Sequence, residues 1–295
     1  MSSTATEPQT QTLDVPGAVL TYDVRRNESS SEPVLFLVGS PMGAGGFVTL
    51  ASHFADRTVV TYDPRGVERS RRTDGAAEST PEEHADDVHR IVSAIGTRPV
   101  DVFGSSGGAV TGLALAARHP DDVRVLVAHE PPDAQVLPDR DAALAAAAAV
   151  RDTYLRHGRG PGMAKFIALA SITGPVPLAF AAQPAPDPAM FGLPTEDDGS
   201  RDDVLLAQNI MGSTQFQPDF DALRAASTRI VMAAGATTDG TLAHRAAQAI
   251  AERLGTTAMI FPGGHGGFFG GEYGQTEEPD AFAAKLREVL ATAGD

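Results

Sequence analysis

Short runs of apolar residues alternate with longer amphipathic stretches over most of the chain. Most of the short runs are continuously apolar, which is typical of parallel strands buried on both faces. The pattern therefore predicts an α/β fold with a mostly parallel central sheet flanked by helices. The predicted strands are residues 19–24, 34–38, 58–62, 100–103, 123–128, 229–233 and 258–261. The predicted helices are residues 81–95, 108–118, 241–254 and 279–291.

One region interrupts this alternation, because no convincing strand is found between residues 131 and 225. Helical patterns there cover residues 139–156, 162–172 and 201–211, with a Pro-rich connector at 175–194. We predict a helical cap at 133–225, inserted between two parts of a core formed by 12–132 and 226–295. Residues 1–11 are rich in Ser, Thr and Gln, and are predicted to form a disordered tail.

The composition narrows the classes of function. A net charge of −15 in 295 residues disfavours nucleic acids and anionic membranes as partners, because the average field repels phosphate. The chain has no cysteine, which excludes disulfides and a cysteine nucleophile. We find no signal peptide and no apolar stretch of membrane-spanning length, so a soluble, cytoplasmic protein is expected. A homo-oligomer is left open.

The most informative motif is Gly-Ser-Ser-Gly-Gly at residues 104–108. It follows a predicted strand and precedes a predicted helix, the context of a nucleophile elbow with Ser106 at its tip. A serine on so tight a turn requires neighbours without side chains, which explains Gly104 and Gly108. The motif predicts a nucleophilic serine.

A serine hydroxyl needs a base to take its proton and a third group to orient that base. The candidate base is His265, in a Gly-rich loop after the last predicted strand. Two carboxylates stand at strand ends and are candidates for the third group. Glu130 ends an apolar strand and is followed by two prolines, whereas Asp239 follows strand 229–233 and could cap helix 241–254 instead. We favour Glu130 and keep Asp239 as the alternative.

The oxyanion of the reaction needs backbone N–H donors. The N–H of Gly107 directly follows the candidate nucleophile at a helix N-terminus. The second donor is expected from the Gly-rich loop after strand 34–38, where Ser40 is the best candidate because Pro41 has no N–H. This loop lacks the Gly-Lys-Ser/Thr ending of a phosphate-binding loop. We therefore discount a phosphate-binding loop here. As separate expectations, the chain needs no cofactor and holds no metal.

These motifs together resemble the α/β-hydrolase superfamily over about residues 13–290. Tyr-Asp-Pro-Arg-Gly at 62–66 is similar to a turn of that family, although the usual His-Gly of its oxyanion loop reads Val38-Gly39 here. Gly-Ser-Ser-Gly-Gly together with Val-Ala-His-Glu-Pro-Pro at 127–132 resembles bacterial Ser-His-Glu members of the zearalenone-lactonase type. The resemblance implies that Glu130 is the triad acid. In many relatives the acid position after the later strand is an aspartate, and here it is Thr238, with Asp239 one residue later.

The expected function is a cofactor-independent serine hydrolase that cleaves a carboxylic ester or lactone of a small apolar molecule through an acyl-enzyme. Two alternatives are kept. One is a ligand-binding protein of the same fold with little or no turnover, and the other is a C–C bond or amide hydrolase with the same triad. Apolar side chains are expected to form the substrate pocket, with Met42, Met163, Phe166, Phe191 and Met211 as candidates.

Overall fold

A central sheet of nine strands organises the part of the chain, residues 7–292, that the computed structural model describes. The strands are Gln9–Val15 (β1), Ala18–Arg25 (β2), Leu35–Val38 (β3), Val59–Asp63 (β4), Arg71–Arg72 (β5), Val100–Ser105 (β6), Val123–His129 (β7), Arg229–Gly235 (β8) and Met259–Phe261 (β9). Their order in the sheet is β1-β2-β4-β3-β6-β7-β8-β9, with β5 paired to β2. The strands from β4 to β9 in this order are parallel, whereas β2 is antiparallel to β1, β4 and β5.

Helices cover both faces of this sheet and bury two apolar layers. The helices are Val48–Ser52 (α1), Pro81–Ile95 (α2), Gly107–Arg118 (α3), Arg140–His157 (α4), Arg159–Ala170 (α5), Ile210–Thr214 (α6), Phe220–Ala225 (α7), Leu242–Arg253 (α8) and Pro279–Ala291 (α9). On one face α2, α3 and α8 pack through residues such as Val88, Leu113 and Ile250. On the other face α1 and α9 pack through residues such as Leu50 and Phe282.

The seven strands predicted from the sequence are all present, but β1 and β5 were not predicted. The predicted tail at 1–11 is wrong from Gln9 onwards, because β1 starts there and pairs antiparallel with β2. This edge strand is rich in polar residues because much of it faces solvent, which hides it from a search for apolar runs. Residues 1–6 of the predicted tail lie outside the described residues.

The segment between β7 and β8 is helical. It contains α4 to α7 and a π-helical turn at Leu205–Asn209 that leads into α6. The helix predicted at 201–211 begins at Val204 in the structure, three residues later than predicted. Within this segment the buried Lys165 of α5 donates hydrogen bonds to the carbonyl oxygens of Ala181 and Gln183. These two hydrogen bonds hold the Pro-rich connector against α5.

Asp133, at the start of the helical segment, has a carboxyl group that favours the protonated form. One oxygen accepts a hydrogen bond from the Gln135 N–H at 2.9 Å, and the other is buried with no partner among the described residues. Burial raises the pKa of Asp133 to about 8. The folded-state pKa thus lies above the unfolded value of about 3.9. The contribution of Asp133 to stability is therefore lost as the pH rises from about 3.9 through about 8.

We therefore expect Asp133→Asn to resist alkaline destabilisation better than the wild type. Between pH 6 and pH 9 the wild type should lose about 2–4 °C more in Tm than the variant, because only the wild type must ionise a buried carboxyl group. Thermal unfolding followed by circular dichroism at both pH values measures this difference. Equal losses in the two proteins would contradict the account of Asp133.

Candidate active site

Ser106 lies at the sharp turn between β6 and α3. Its φ of 56° and ψ of −125° are unusual for a residue with a side chain, and such strain is common where a reactive group is presented. Backbone hydrogen bonds hold the turn. The Ser106 N–H donates to the His129 carbonyl oxygen at 2.9 Å, and the Ser106 carbonyl accepts from the Ala109 N–H at 2.9 Å. The strand before the turn and the helix after it therefore both anchor Ser106.

The glycines around Ser106 are required by close backbone approaches. A Cβ atom on Gly104 would lie 2.5 Å from the Gly108 carbonyl oxygen. A Cβ atom on Gly108 would lie 2.0 Å from the Val38 carbonyl oxygen on the neighbouring strand β3. Backbone atoms cannot yield as the end of a flexible side chain can. The structure thus contains the steric reason that the motif predicts for these two positions.

Glu130 directly follows β7 and contacts His265. Its Oε2 accepts a hydrogen bond from His265 Nδ1 at 2.7 Å. Its Oε1 accepts from the Gly235 N–H at 2.9 Å and from the Thr238 hydroxyl. The Glu130 N–H donates to the Ala233 carbonyl oxygen, and the residue has a φ of 49°, so β8 and its following loop hold the carboxylate on both sides.

These contacts keep Glu130 ionised although it is fully buried. Burial alone would raise its pKa, but the hydrogen bonds from His265 and from the Thr238 hydroxyl help to lower the pKa of Glu130 to about 2. A carboxylate that is ionised at neutral pH can orient an imidazole through Nδ1 and stabilise it when it becomes charged.

Asp239, the alternative acid, lies at the surface. Its side chain is 87 % exposed and lies 3.5 Å from Nε2 of His244. The N-cap of α8 is Thr241, whose hydroxyl accepts from the His244 N–H, so Asp239 does not fill the capping role suggested by the sequence either. The structure brings Glu130, and not Asp239, to His265.

Ser106, Glu130 and His265 line one open cavity of about 240 Å³. Gly107 and Ser40, the two candidates for oxyanion donors, line the same cavity. The rest of the lining consists mainly of apolar residues from the helical segment and the start of α8. These residues are Pro132, Phe166, Leu169, Ala170, Leu205, Ile210, Leu242 and Ala243. Uncharged polar residues complete the lining, namely Asn209, Ser213, Thr214, Thr238 and Thr241.

Of the five residues expected to bind substrate, Phe166 lies in the cavity wall and the other four lie elsewhere. Met163 and Met211 pack against the core layer that contains α3, and Met42 packs against the layer that contains α9. Phe191 is 39 % exposed. These four assignments are corrected. For the three methionines the reason is that flexible methionines fill gaps in a core as readily as they line a pocket.

Thr238 is a site residue that a search for catalytic residue types misses. Its hydroxyl donates to Glu130 Oε1. The signal in the sequence was the position itself, where the family resemblance leads us to expect an aspartate.

We expect Thr238→Val to lower kcat about tenfold, since a hydrogen bond to a charged group is worth about 1.5–3 kcal/mol. Valine has the same shape but donates nothing to Glu130. Thr238→Ser keeps the hydroxyl and serves as the matched control, with kcat near that of the wild type. Steady-state kinetics on an ester substrate measures both variants, and an unchanged kcat in Thr238→Val would contradict this role.

His129 lies behind the site, buried among aromatic rings. Its ring centroid is 5.3 Å from that of Phe282 and 6.3 Å from that of His265. Burial lowers the pKa of His129 to about 4, so the ring is neutral at pH 7. Neither ring nitrogen has a hydrogen-bond partner among residues 7–292. A neutral ring here does not compete with His265 for the charge of Glu130.

A group of potential metal ligands in the described chain lies apart from this cavity. Ligand atoms of His89, His119 and Asp122 lie within 4.8 Å of one another. The two imidazole rings stack in parallel, with centroids 3.9 Å and planes 10° apart, so their lone pairs do not converge on one ion. Asp122 is already paired with His89 Nδ1 at 2.5 Å and with Arg98. The cluster is explained as an ion-paired surface, at the opposite end of α3 from Ser106.

A match to a protein-family model identifies the family of this chain. A family model described as alpha/beta hydrolase fold matches residues 32–272. The chain belongs to the α/β hydrolase fold family. The predicted fold class, with a mostly parallel sheet between helices, is confirmed by this match and by solved structures. The finer resemblance to lactonases of the zearalenone type stays a prediction.

Curated and solved α/β hydrolases resemble this chain over nearly its whole length. An uncharacterized hydrolase, YraK of Bacillus subtilis (strain 168), is 33 % identical over 285 residues, covering 95 % of each chain. A thermophilic esterase from Thermogutta terrifontis superposes with a TM-score of 0.64 at 20 % identity, covering 98 % of this chain and 100 % of the esterase. The enol-lactonase from Burkholderia xenovorans LB400 has a TM-score of 0.60 at 16 % identity, with 95 % and 100 % covered. The protein is thus a hydrolase of the α/β fold.

Within residues 7–292, every helix is too short or too polar to cross a bilayer.

Proposed function

We propose that the protein is a serine hydrolase that needs no cofactor and cleaves a carboxylic ester or lactone of a small apolar molecule. The observation that carries the proposal is the hydrogen bond between His265 Nδ1 and the buried Glu130, at the cavity that Ser106 also lines. A serine at a strained turn, an imidazole held by a carboxylate and free N–H groups are the parts that acyl transfer requires.

In the first step the Ser106 hydroxyl oxygen attacks the substrate carbonyl carbon. Its proton passes to His265 Nε2, while Glu130 stabilises the resulting imidazolium through Nδ1. The carbonyl oxygen becomes an oxyanion held by the N–H groups of Gly107 and Ser40. When the intermediate collapses, the C–O bond to the alcohol breaks and His265 returns the proton to the leaving oxygen.

In the second step water completes the reaction. His265 takes a proton from water, the resulting hydroxide attacks the acyl-enzyme carbonyl, and the bond to Ser106 breaks. The serine oxygen recovers its proton from His265, and a carboxylic acid leaves. From a lactone the leaving alcohol stays attached to the acyl group, so the single product is a hydroxy acid.

The lining of the cavity supports an uncharged, apolar substrate. Among the described residues that line it, Glu130 and His265 are the ionisable ones, and both have roles in the triad. Phe166, Leu169 and Ile210 of the proposed cap offer apolar surface to an acyl chain or a ring. The names of the similar structures, an esterase and an enol-lactonase, support the same bond type.

A panel of p-nitrophenyl esters and simple lactones tests the proposal. Hydrolysis by the wild type that Ser106→Ala abolishes is the expected outcome. Tight ligand binding without hydrolysis, unaffected by Ser106→Ala, would instead support the ligand-binding alternative. Activity on amides or diketones but on no ester or lactone would support the second alternative.

A further inference from the structure

A hydrogen bond links the helical segment to the loop beside the nucleophile. Nδ2 of Asn209 lies 2.5 Å from Oγ of Ser40, and both residues are buried. The two are 169 positions apart in sequence, with Ser40 just after β3 and Asn209 in the π-helical turn before α6. A buried side-chain pair of this kind restrains one part of the chain relative to the other.

Ser40 is in direct contact with the turn that presents Ser106. A Cβ atom on Gly107 would lie 2.3 Å from the Ser40 carbonyl oxygen, so the two backbones touch. Ser40, Ser106 and Gly107 all line the same cavity. Ser40 therefore lies next to Gly107, whose N–H would hold the oxyanion of the proposed reaction.

The direction of the bond from Asn209 leaves the Ser40 hydroxyl with a proton to donate. An amide N–H is a donor only, whereas a hydroxyl has one proton and two lone pairs. When Asn209 Nδ2 donates to Ser40 Oγ, it occupies a lone pair, and the accepted bond strengthens the hydroxyl as a donor.

We propose that the Ser40 hydroxyl is a third oxyanion donor beside the two backbone N–H groups, and that Asn209 is the positioning residue that orients it. This inference rests on the proposed function. The hydroxyl donates a hydrogen bond and transfers no proton, so the proton path through His265 is unchanged. Ser40 thereby acts with its side chain as well as with its backbone.

Asn209, which contacts Ser40, is the last residue of a π-helical turn. In this turn the Ile210 N–H donates to the Leu205 carbonyl oxygen, five residues earlier, instead of the α-helical four. The extra residue changes the direction of the side chains that follow it, and such turns often occur at functional sites. Leu205, Asn209 and Ile210 all line the cavity, so the turn and the residue after it also contribute apolar wall.

Single substitutions separate the hydroxyl from the backbone of the loop. Ser40→Ala keeps the N–H and removes the hydroxyl, and we expect it to lower kcat about 100-fold with KM within about twofold of the wild type. Ser40→Thr keeps a hydroxyl and should recover most of the lost kcat. Asn209→Ala should lower kcat about tenfold, because the hydroxyl remains but is no longer oriented. Gln208→Ala, on the same turn but outside the cavity lining, is the matched control with wild-type kinetics.

Asn209→Asp tests the direction of the bond. A carboxylate can only accept hydrogen bonds. It would therefore accept one from the Ser40 hydroxyl, which would then have no proton to donate to the oxyanion, and kcat should fall at least as far as in Ser40→Ala. An Asn209→Asp variant with near wild-type kcat would mean that Ser40 donates to residue 209 in the native protein, which overturns the proposal.

A double variant and an oxyanion analogue complete the test on the full-length protein. Ser40→Ala/Asn209→Ala should be no slower than Ser40→Ala alone, because Asn209 acts through Ser40. The affinity for a trifluoromethyl ketone, which adds to the serine and forms an oxyanion, should fall in parallel with kcat. Additive losses, or an unchanged kcat in Ser40→Ala, would overturn the inference. If Ser106→Ala still abolishes hydrolysis in that case, the proposed function stands; hydrolysis that persists in Ser106→Ala would overturn the function itself.

Discussion

Ser106→Ala is expected to lower kcat for ester hydrolysis about 10⁶-fold, the loss seen when a serine nucleophile that works as a unit with its base is removed. The variant loses the atom that forms the acyl-enzyme, so what remains is the stabilisation by the N–H groups and the binding of substrate. KM should change little, because the hydroxyl contributes little to binding the ground state. End-point assays at high enzyme concentration are needed to measure the residual rate of hydrolysis.

The neighbouring serine provides the control for this substitution. Ser105, the last residue of β6, is buried within the sheet, and Ser105→Ala tests whether a small change at the elbow is itself harmful. We expect Ser105→Ala to retain most of the activity. A Ser106→Ala variant that folds normally and hydrolyses esters at more than a hundredth of the wild-type rate would exclude Ser106 as the nucleophile.

Glu130→Gln is expected to lower kcat about 10⁴-fold, since losing the charge of a triad acid while keeping its shape costs that much. A glutamine can still accept from the Gly235 N–H through its carbonyl oxygen. Its amide group, however, would then face His265 Nδ1 with a donor and would favour the wrong tautomer of the imidazole. The effect should therefore appear in kcat and leave KM and the folded structure nearly unchanged.

Asp239→Asn is the matched comparison, since Asp239 was the other carboxylate that the sequence allowed. Its side chain is exposed, so we expect kcat within about twofold of the wild type, as is usual for surface substitutions. The reverse outcome, a large loss in Asp239→Asn with an active Glu130→Gln, would show that Asp239 acts as the acid. Circular dichroism of both variants establishes that each is folded.

The parts of the site that could be predicted from sequence are those with local signals. The elbow is readable because a strand, two required glycines and a helix lie within one short segment around Ser106. Glu130 is readable because an acidic residue ends an apolar strand and is fixed by the prolines after it. The seven buried strands are readable because continuous apolar runs of that length suit parallel strands.

The remaining features depend on contacts between distant parts of the chain. β1 is an edge strand with one exposed face, and it is held by its antiparallel pairing with β2. Its polar residues were interpreted as a disordered tail because the sequence pattern does not show this pairing. Asn209 lines the cavity from a π-helical turn, and no local sequence pattern predicts such a turn. Met163 and Met211 were indistinguishable from pocket residues in sequence, since apolar side chains on one helical segment can face either the core or the cavity.

Mass spectrometry of the protein after reaction with a fluorophosphonate probe tests the central claim most directly, because it requires no knowledge of the substrate. The account predicts one modified peptide, with the phosphonyl group on Ser106, and no labelling of Ser106→Ala. Labelling of a different serine, or hydrolysis that continues in a protein fully modified at Ser106, would contradict it.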